Sequence, residues 1–371
     1  MIEKECYKCE VALSKTNSST EHIILNACGG KLKSNSLLCK KCNSNFGESF
    51  DMELAKSITP LANLLKIKRD RGNPPKINGI DTINNTEYSL EHNGNVNLKI
   101  PSIKKIDFDN DDISKRKIQI QAPNEKILKQ TLNGLKRKYP GLNVENALKD
   151  FTYNEKPFDN ELKINMSIGG TETFKSITKT AINFYMLNNG NRDEIKHLFN
   201  YLDGKEDMNI VWFYYPNIEI YNHQDGEVMH ILKIIGKKNE RILYAYVELF
   251  SSHCFIIKLN ENYNGENIDI DYISNVNTNE VKHNLTKLEL NRVELINLFI
   301  NKDVDIHLKV QNKASRVLNI SQKRDVKNEI SKSVNKIFNK HIGESVNHEI
   351  LNELQNEFMR IIKPHINYGK K

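Results

Sequence analysis

The chain has 371 residues, too many for one typical domain, and its 38% hydrophobic and 27% charged residues suit folded domains with a sizeable core. It contains no uninterrupted apolar run of about 18 residues, which argues against a membrane span. The first residues, MIEKECYKCE, lack the apolar core of a secretory signal, so a cytoplasmic location is expected.

The net charge of +7 is concentrated near the N-terminus. Residues 1–76 hold 13 Lys and Arg against 8 Asp and Glu, a net charge of +5, and the rest of the chain supplies +2. A basic surface of this kind suits a polyanionic partner. In a lysine-rich chain, ordinary scatter is the alternative explanation.

Five of the six cysteines lie within the first 42 residues, and four of them form two matched pairs. A reducing cytosol argues for metal ligation rather than disulfides. The spacing C-x2-C-x29-C-x2-C predicts a tetrahedral zinc site whose ligands are Cys6, Cys9, Cys39 and Cys42. Four buried thiols or a redox pair are the alternatives, but neither explains two matched pairs in so small a segment.

An acid and a histidine, Glu21 and His22, lie between the two cysteine pairs. A zinc ion with four cysteine ligands has no open position for chemistry, so a catalytic metal would be a second ion with harder ligands. Glu21 and asparagine side chains offer the oxygen atoms that Mg²⁺ prefers. His22 would then act as general base on a water molecule. An ordinary loop histidine is the alternative.

A longer run of residues around this pair carries a resemblance to a known family. In order, the run is Glu21-His22-Ile23-Ile24, Gly29-Gly30, Asn35, Leu37-Leu38-Cys39-x-x-Cys42-Asn43 and Phe46-Gly47. It resembles the HNH, or ββα-metal, endonucleases, most closely the branch whose core is held by two Cys-x-x-Cys zinc knuckles. The resemblance covers about residues 4–60, roughly a sixth of the chain.

The resemblance implies a role for each residue of the run. His22 would match the general base, Glu21 the acidic metal ligand and Asn35 the residue that orients the histidine. Asn43 would match the third position, a ligand of a catalytic Mg²⁺ or Mn²⁺ on the helix after Cys39. Two departures are Glu21 in place of the commoner aspartate and Asn43 in place of the commoner histidine. Asn45 is the alternative ligand to Asn43.

The resemblance further implies a substrate and a setting. The substrate would be DNA, with RNA left open, and the setting phage defence or a mobile element. Basic side chains near these residues would contact the phosphate backbone, and a solvated surface is their alternative role. They are Lys31, Lys33, Lys40, Lys41, Lys66, Lys68, Arg69 and Arg71.

The rest of the chain predicts an α+β fold: a small N-terminal zinc-stapled ββα-metal module, then a larger α+β domain with an antiparallel sheet and a helical C-terminus. Periodicity and turn signals place a helix in the second half of residues 1–72 and strands within 77–122, with a hairpin at an Asn-Gly pair. Further helices are expected at 124–138, 174–187 and 193–202. β-Branched and aromatic runs at 209–259 predict an antiparallel meander, and 322–363 is helical, divided at Gly343.

We expect three parts: a nuclease module at 1–72, an α+β targeting or regulatory domain at 73–290 and a helical C-terminal region at 291–371. The C-terminal helices could pair two protomers into a homodimer. Two other functions stay open. One is a zinc-knuckle protein that binds nucleic acid without cutting it. The other is a nuclease effector that is silent until its second domain binds a signal.

Overall fold

The computed structural model describes residues 4–366, except 71, 93–94, 107–116, 150–151, 153–160 and 303–304. The chain forms two compact units. The first combines residues 1–54 with 169–371, and the second is residues 55–168. Compactness does not assign function, so the division into three functional parts at residues 72 and 290 stays a prediction.

The N-terminal part of the first unit is a short hairpin followed by helices. Its elements are β1 (Glu21–His22), β2 (Lys33–Ser34), α1 (Lys40–Glu48) and α2 (Phe50–Leu64), which continues into the second unit. β1 and β2 are antiparallel. This strand, strand and helix order is the predicted ββα arrangement, and side chains such as Ile23, Leu38 and Phe46 form its apolar interior.

A six-stranded antiparallel sheet is the centre of the first unit. Its spatial order is β14-β13-β10-β11-β12-β9. The strands are β9 (Val211–Phe213), β10 (Met229–Lys237), β11 (Ile242–Leu249), β12 (His253–Asn260), β13 (Ile268–Asn275) and β14 (Val281–Lys282). The predicted antiparallel strands at 209–259 are confirmed, and β10, β11 and β12 form a meander. The expected position of the first strand is wrong, because β9 pairs with β12 instead of β10. β13 and β14 extend the sheet along the edge of β10.

Helices cover both faces of this sheet, which explains why every residue of β11 is buried. Helix α5 (Thr171–Leu187) packs on one face, where Phe174 meets Phe255 and Phe184 meets Tyr272. The opposite face joins a core cluster that includes Leu295. The helices after α5 are α6 (Leu198–Leu202), α7 (Arg292–Ile300), α8 (Ile306–Lys340) and α9 (His348–Ile366).

Some of the predicted helices are confirmed and one is wrong. The predicted C-terminal helices are confirmed as α8 and α9, which pack together, with Gly343 at φ +90° between them. The single helix expected at 193–202 is wrong. The chain instead forms a 3₁₀ turn at Arg192–Glu194 and the short α6. The amide of Ile195 bonds the carbonyl of Arg192, a three-residue spacing that breaks the α-helical pattern.

The second unit has its own small antiparallel sheets. One has the order β5-β4-β3-β8, and the other pairs β6 with β7. The elements of this unit are β3 (Ile77–Asp81), β4 (Glu87–Leu90), β5 (Val96–Leu98), β6 (Ser102–Ile106), β7 (Lys117–Gln121), α3 (Glu125–Lys138), α4 (Val144–Lys149) and β8 (Leu162–Lys163). The predicted hairpin is confirmed in the pairing of β4 with β5. Its Asn-Gly pair lies outside the described residues.

Among the residues that the structure describes, no helix combines the length and the apolar character that a membrane crossing requires.

Candidate functional site

The four paired cysteines converge on one point. The Sγ atoms of Cys6, Cys9, Cys39 and Cys42 all lie within 4.8 Å of one another. The first knuckle turns back at Glu10, whose φ is 61° and whose amide bonds the carbonyl of Cys6. The second begins α1, where the amide of Cys42 donates to Cys39 Sγ at 3.5 Å. Four sulfur ligands in this arrangement suit a structural zinc ion.

Backbone amides favour the ionised form of one of these sulfurs. Burial opposes ionisation of Cys39, but the hydrogen bond from the Cys42 amide and the bonds from the other cysteine side chains lower its pKa. Burial raises the pKa of Cys6 and of Cys42, so the fit to zinc rests on the number and convergence of the four sulfur atoms and not on their pKa values.

We expect Cys39→Ser to release the zinc and destabilise residues 6–54, since metal binding supplies folding free energy in a module with little core. Metal analysis of the purified chain should fall from one zinc to none, and limited proteolysis should cut this segment first. Cys28→Ala is the matched control, because Cys28 is also buried but is outside the cluster. Full zinc content in Cys39→Ser would contradict a four-cysteine site.

His22 is fixed by the hairpin that it belongs to. It lies on β1 directly opposite Lys33 on β2, and the next amide along β1, that of Ile23, donates to the carbonyl of Leu32 at 2.9 Å. The side chain of His22 is half-buried. The imidazole is therefore carried on rigid backbone and keeps contact with solvent.

A close backbone approach shapes the turn of this hairpin. A Cβ atom on Gly30 would lie 2.0 Å from the carbonyl oxygen of Ile24. That distance is far inside van der Waals contact, so the backbone requires glycine here.

Gly30→Ala should therefore lower the free energy of unfolding by about 1–3 kcal/mol, the usual cost of forced overpacking. Gly47→Ala is the control, because nothing lies within 4 Å of its would-be Cβ and alanine favours the helix α1. Urea unfolding of the two variants measures the change in the free energy of unfolding. Equal midpoints for both variants would contradict the tight turn.

The carboxylate beside His22 belongs to a buried ion cluster. Glu21 is 3% exposed, and its Oε1 contacts Lys179 Nζ at 2.5 Å. The same ammonium contacts Asp51 Oδ2 at 2.6 Å. Burial alone would lower the pKa of Lys179, but Asp51 and Glu21 raise it above its ordinary value. Burial raises the pKa of Glu21, although Lys179 and Asn183 oppose this effect, so the cluster has an excess negative charge only when Glu21 is ionised.

Helix α5 supplies further hydrogen bonds to this cluster. Asn183 Nδ2 donates to Glu21 Oε1 at 2.8 Å, and Asn183 Oδ1 accepts from the hydroxyl of Tyr7 at 2.8 Å. Ser176 Oγ donates to Asp51 Oδ1 at 2.6 Å. Residues 176, 179 and 183 share one face of α5, since they are three and four positions apart. That face of α5 therefore packs against the cysteine-bearing segment, where it contacts Glu21 and Asp51.

The sequence analysis missed Lys179, Asn183, Ser176, Tyr7 and Asp51. One signal was available, because Ser176, Lys179 and Asn183 recur at helical spacing within a helix that was predicted from its apolar residues. A polar stripe on such a helix ordinarily faces water. Only the tertiary structure shows that it faces buried carboxylates.

The two candidate asparagines on α1 face different surroundings. Asn43 Nδ2 donates to Ser19 Oγ at 2.7 Å, and Ser19 lies two residues before Glu21. Asn45 lines a cavity of about 240 Å³ together with Cys42 and Lys175. A separation of two residues on a helix turns side chains about 200° apart. Asn43 is thus bonded to the segment that leads into β1, whereas Asn45 is on the cavity side.

The remaining predicted residues are distributed over both units. Asn35 follows Ser34 directly, and Ser34 pairs with Glu21 across the hairpin. Lys31 and Lys33 lie on the second arm of the hairpin, and Lys40 Nζ donates to the carbonyl of Thr16 at 2.7 Å. Lys41 is exposed on α1. Lys66, Lys68 and Arg69 belong to the second unit, and Arg71 lies outside the described residues.

The donors beside His22 are chemically suited to a hard divalent cation. Glu21 Oε2 makes neither of the two contacts described for Oε1. Asn43 donates through Nδ2 to Ser19, which leaves its Oδ1 as an acceptor. Carboxylate and amide oxygens are ligands of Mg²⁺.

Comparison with known proteins agrees with the site. Residues 6–59 match a family model described as HNH endonuclease. The match spans both cysteine pairs, the hairpin with His22, all of α1 and most of α2. It confirms the resemblance read from the sequence for this segment. No curated protein and no solved structure matches the chain significantly.

Proposed function

We propose that this chain, whose residues 6–59 form an HNH endonuclease domain, is a metal-dependent endonuclease that hydrolyses phosphodiester bonds in DNA. The observation that carries the proposal is the position of His22. It lies on a paired hairpin directly after Glu21, whose buried carboxylate is held by Lys179, and a lysine stands opposite it on β2. The family match at residues 6–59 supports nucleic acid as the substrate class. DNA rather than RNA is part of the proposal.

In this mechanism His22 is the general base. Its neutral imidazole accepts a proton from the attacking water, while the hairpin holds the ring in place. Glu21 and Asn43 would hold Mg²⁺ or Mn²⁺, which neutralises charge that builds on the phosphate and the leaving oxygen. We favour Asn43 over Asn45 because its bond to Ser19 fixes it next to β1. Asn35 keeps its proposed role of orienting His22.

Lysine side chains next to His22 would hold the DNA backbone. Lys33 is exposed and lies directly opposite His22 in the hairpin, and Lys31 is two residues away. Lys40 and Lys41 begin α1, and a helix N-terminus also favours phosphate. Lys66, Lys68, Arg69 and Arg71 are proposed as additional backbone contacts from sequence alone.

Helix α5 acts as a positioning element in this proposal. Lys179 and Asn183 fix one oxygen of Glu21, so the carboxylate is held next to His22 without freedom to rotate away. A catalytic group whose rotamer is locked by partners needs no reorganisation when the substrate binds. Residues 1–54 therefore work together with residues 169–371, which belong to the same compact unit.

The test is cleavage of supercoiled plasmid by the full chain with Mg²⁺, with Mn²⁺ or with no added divalent ion. Cutting that depends on added metal supports the enzyme. Binding without cutting under all conditions favours the zinc-knuckle binding protein. Cutting that appears only after a further factor is added favours the signal-activated effector, with residues 55–168 or the sheet as its sensor.

The wider setting is proposed on the resemblance alone. We propose a cytoplasmic nuclease of phage defence or of a mobile element, with two protomers paired through α8 and α9. Light scattering at micromolar concentration tests the dimer, and a monomer would contradict it. A plasmid product that is linear from the start would agree with two paired active sites.

A further inference from the structure

A cavity of about 600 Å³ lies in the first unit beside the His22 hairpin. Three elements form it: the second arm of the hairpin, the C-terminal end of α5 and the sheet edge at β13 and β14. Its lining includes Lys31, Phe184, Asn188, Tyr272, His283 and Asn284. Its size is within the range of sites for small molecules, and a nucleoside would fit.

Aromatic rings form one wall of this cavity. The rings of Phe184 and Tyr272 are 6.4 Å apart, and those of Tyr272 and His283 are 6.0 Å apart. Phe184 is 4% and Tyr272 6% exposed, so packing holds both rings and only a small part of each reaches the cavity, whereas the ring of His283 is exposed. Aromatic faces stack nucleobases, and stacking adds about 1–3 kcal/mol per base.

Polar atoms stand at the edge of this aromatic wall. His283 Nδ1 lies 2.9 Å from the carbonyl oxygen of Asp271, and a carbonyl only accepts, so Nδ1 carries the proton. In the neutral ring Nε2 is then an acceptor. Asn188 donates through Nδ2 to the carbonyl of Phe184, which leaves its Oδ1 as an acceptor. These atoms suit the hydrogen-bonding edge of a base.

The loop that carries His283 is held rigidly. The Asp271 carboxylate accepts hydrogen bonds from the amides of Asn284, Leu285 and Thr286, and from Thr286 Oγ1 at 2.7 Å. A carboxylate with this many donors fixes the backbone around it. The cavity is therefore formed before a ligand arrives, which lowers the entropic cost of binding.

The cavity adjoins the place where the DNA backbone would lie. Lys31, which lines the cavity, is two residues before Lys33, the partner of His22. Two residues of chain span at most about 7 Å. A strand bound at His22 would thus carry its neighbouring nucleotide to the mouth of the cavity.

We propose that this cavity takes an unstacked nucleobase from the strand bound at His22, namely the base of a nucleotide that flanks the scissile phosphate. The proposal rests on the proposed nuclease function and adds a base-binding site to it. A base inside a duplex cannot enter the cavity without leaving the stack. The enzyme should therefore prefer single-stranded or distorted DNA at the cut.

The test compares two single-stranded oligonucleotides of equal length, one of deoxycytidines and one entirely abasic, so that they share a backbone and differ in bases. Affinities are measured by fluorescence anisotropy without added divalent cation, so chemistry and metal binding do not enter. The wild-type chain should bind the cytidine strand about tenfold more tightly, the lower end of the stacking range. Tyr272→Leu and His283→Ala should each reduce this preference at least threefold and leave affinity for the abasic strand unchanged.

Asn188→Leu is a further test variant, and Asn239→Leu is its matched control. Asn239 lines a separate cavity of about 1130 Å³ and should leave the base preference intact, whereas Asn188→Leu should weaken it. His283 is exposed, so His283→Ala keeps the test valid if Tyr272→Leu fails to fold. An unchanged preference in His283→Ala and Asn188→Leu would overturn the proposal, and so would a wild-type chain that binds neither strand. Loss of cutting in metal with the base preference retained would instead overturn the nuclease function alone.

Discussion

His22→Ala should reduce metal-dependent cleavage of supercoiled plasmid by about 100- to 10,000-fold, the range that a positioned general base contributes. The reason is local, because alanine removes the imidazole and leaves the hairpin paired through backbone atoms. Affinity for DNA should stay within about twofold, since the lysines of the hairpin and of α1 are untouched. Initial rates of nicking, together with gel-shift affinities measured in the absence of divalent ions, give both quantities.

The control for this variant is His307→Ala. His307 is exposed on α8 and distant in sequence from the candidate site, so cutting should be unaffected. A His22→Ala protein that cuts at the wild-type rate would exclude this residue as the base. The ratio of nicked to linear product in the wild type then shows how many strands are cut in each event.

Lys179→Met should lower the free energy of unfolding by about 3–5 kcal/mol, the usual result when one partner of a buried ion pair is removed. Methionine fills the space of the side chain and leaves Glu21 and Asp51 buried without their cation. Cleavage should fall as well, because the carboxylate next to His22 is no longer fixed. Urea unfolding, followed by fluorescence of the single Trp212, measures the first effect.

The matched control is Lys175→Met, one turn earlier on the same helix. Lys175 pairs with Glu172, whose side chain is 44% exposed, so its loss should cost about 1 kcal/mol or less. A triple variant, Lys179→Met with Glu21→Gln and Asp51→Asn, removes the charges together and should recover much of the stability without the cleavage. Equal stability of Lys179→Met and wild type would show that the cluster contributes nothing to folding.

Local chemistry explains what the sequence could predict. Each cysteine pair is a short loop with its ligands three residues apart, so spacing alone predicts the cluster that the structure shows. The strands from Met229 to Asn260 follow from β-branched and aromatic runs. The hairpin from Glu87 to Leu98 follows from its turn residues. For the strands and the hairpin the signal lies within the element itself, whereas the two cysteine pairs, 30 positions apart, are joined because each offers half of one ligand set.

The features that the sequence did not predict depend on contacts between distant parts of the chain. Lys179 and Glu21 are 158 positions apart, and no periodicity in one predicts the other. The same limit explains why residues 55–168 were not recognised as a compact unit inserted between two parts of another. Helix α5 was predicted to have one apolar face, yet almost all of its residues from Thr173 to Tyr185 are buried. Burial on every side comes from the segments packed around the helix.

The separation of Asp51 and Lys179 in the sequence also sets the order in which the site forms during synthesis. The N-terminal segment leaves the ribosome first, and its buried carboxylates lack their ammonium until 128 further residues have been added. At about 5–20 residues per second this takes on the order of ten seconds. Zinc can join the cysteines in that interval, but Glu21 cannot be fixed beside His22. The nascent chain therefore completes this site only after the whole of the second unit has been made, so a polypeptide that is interrupted before Lys179 contains the cysteine pairs and His22 without the ion cluster that fixes Glu21.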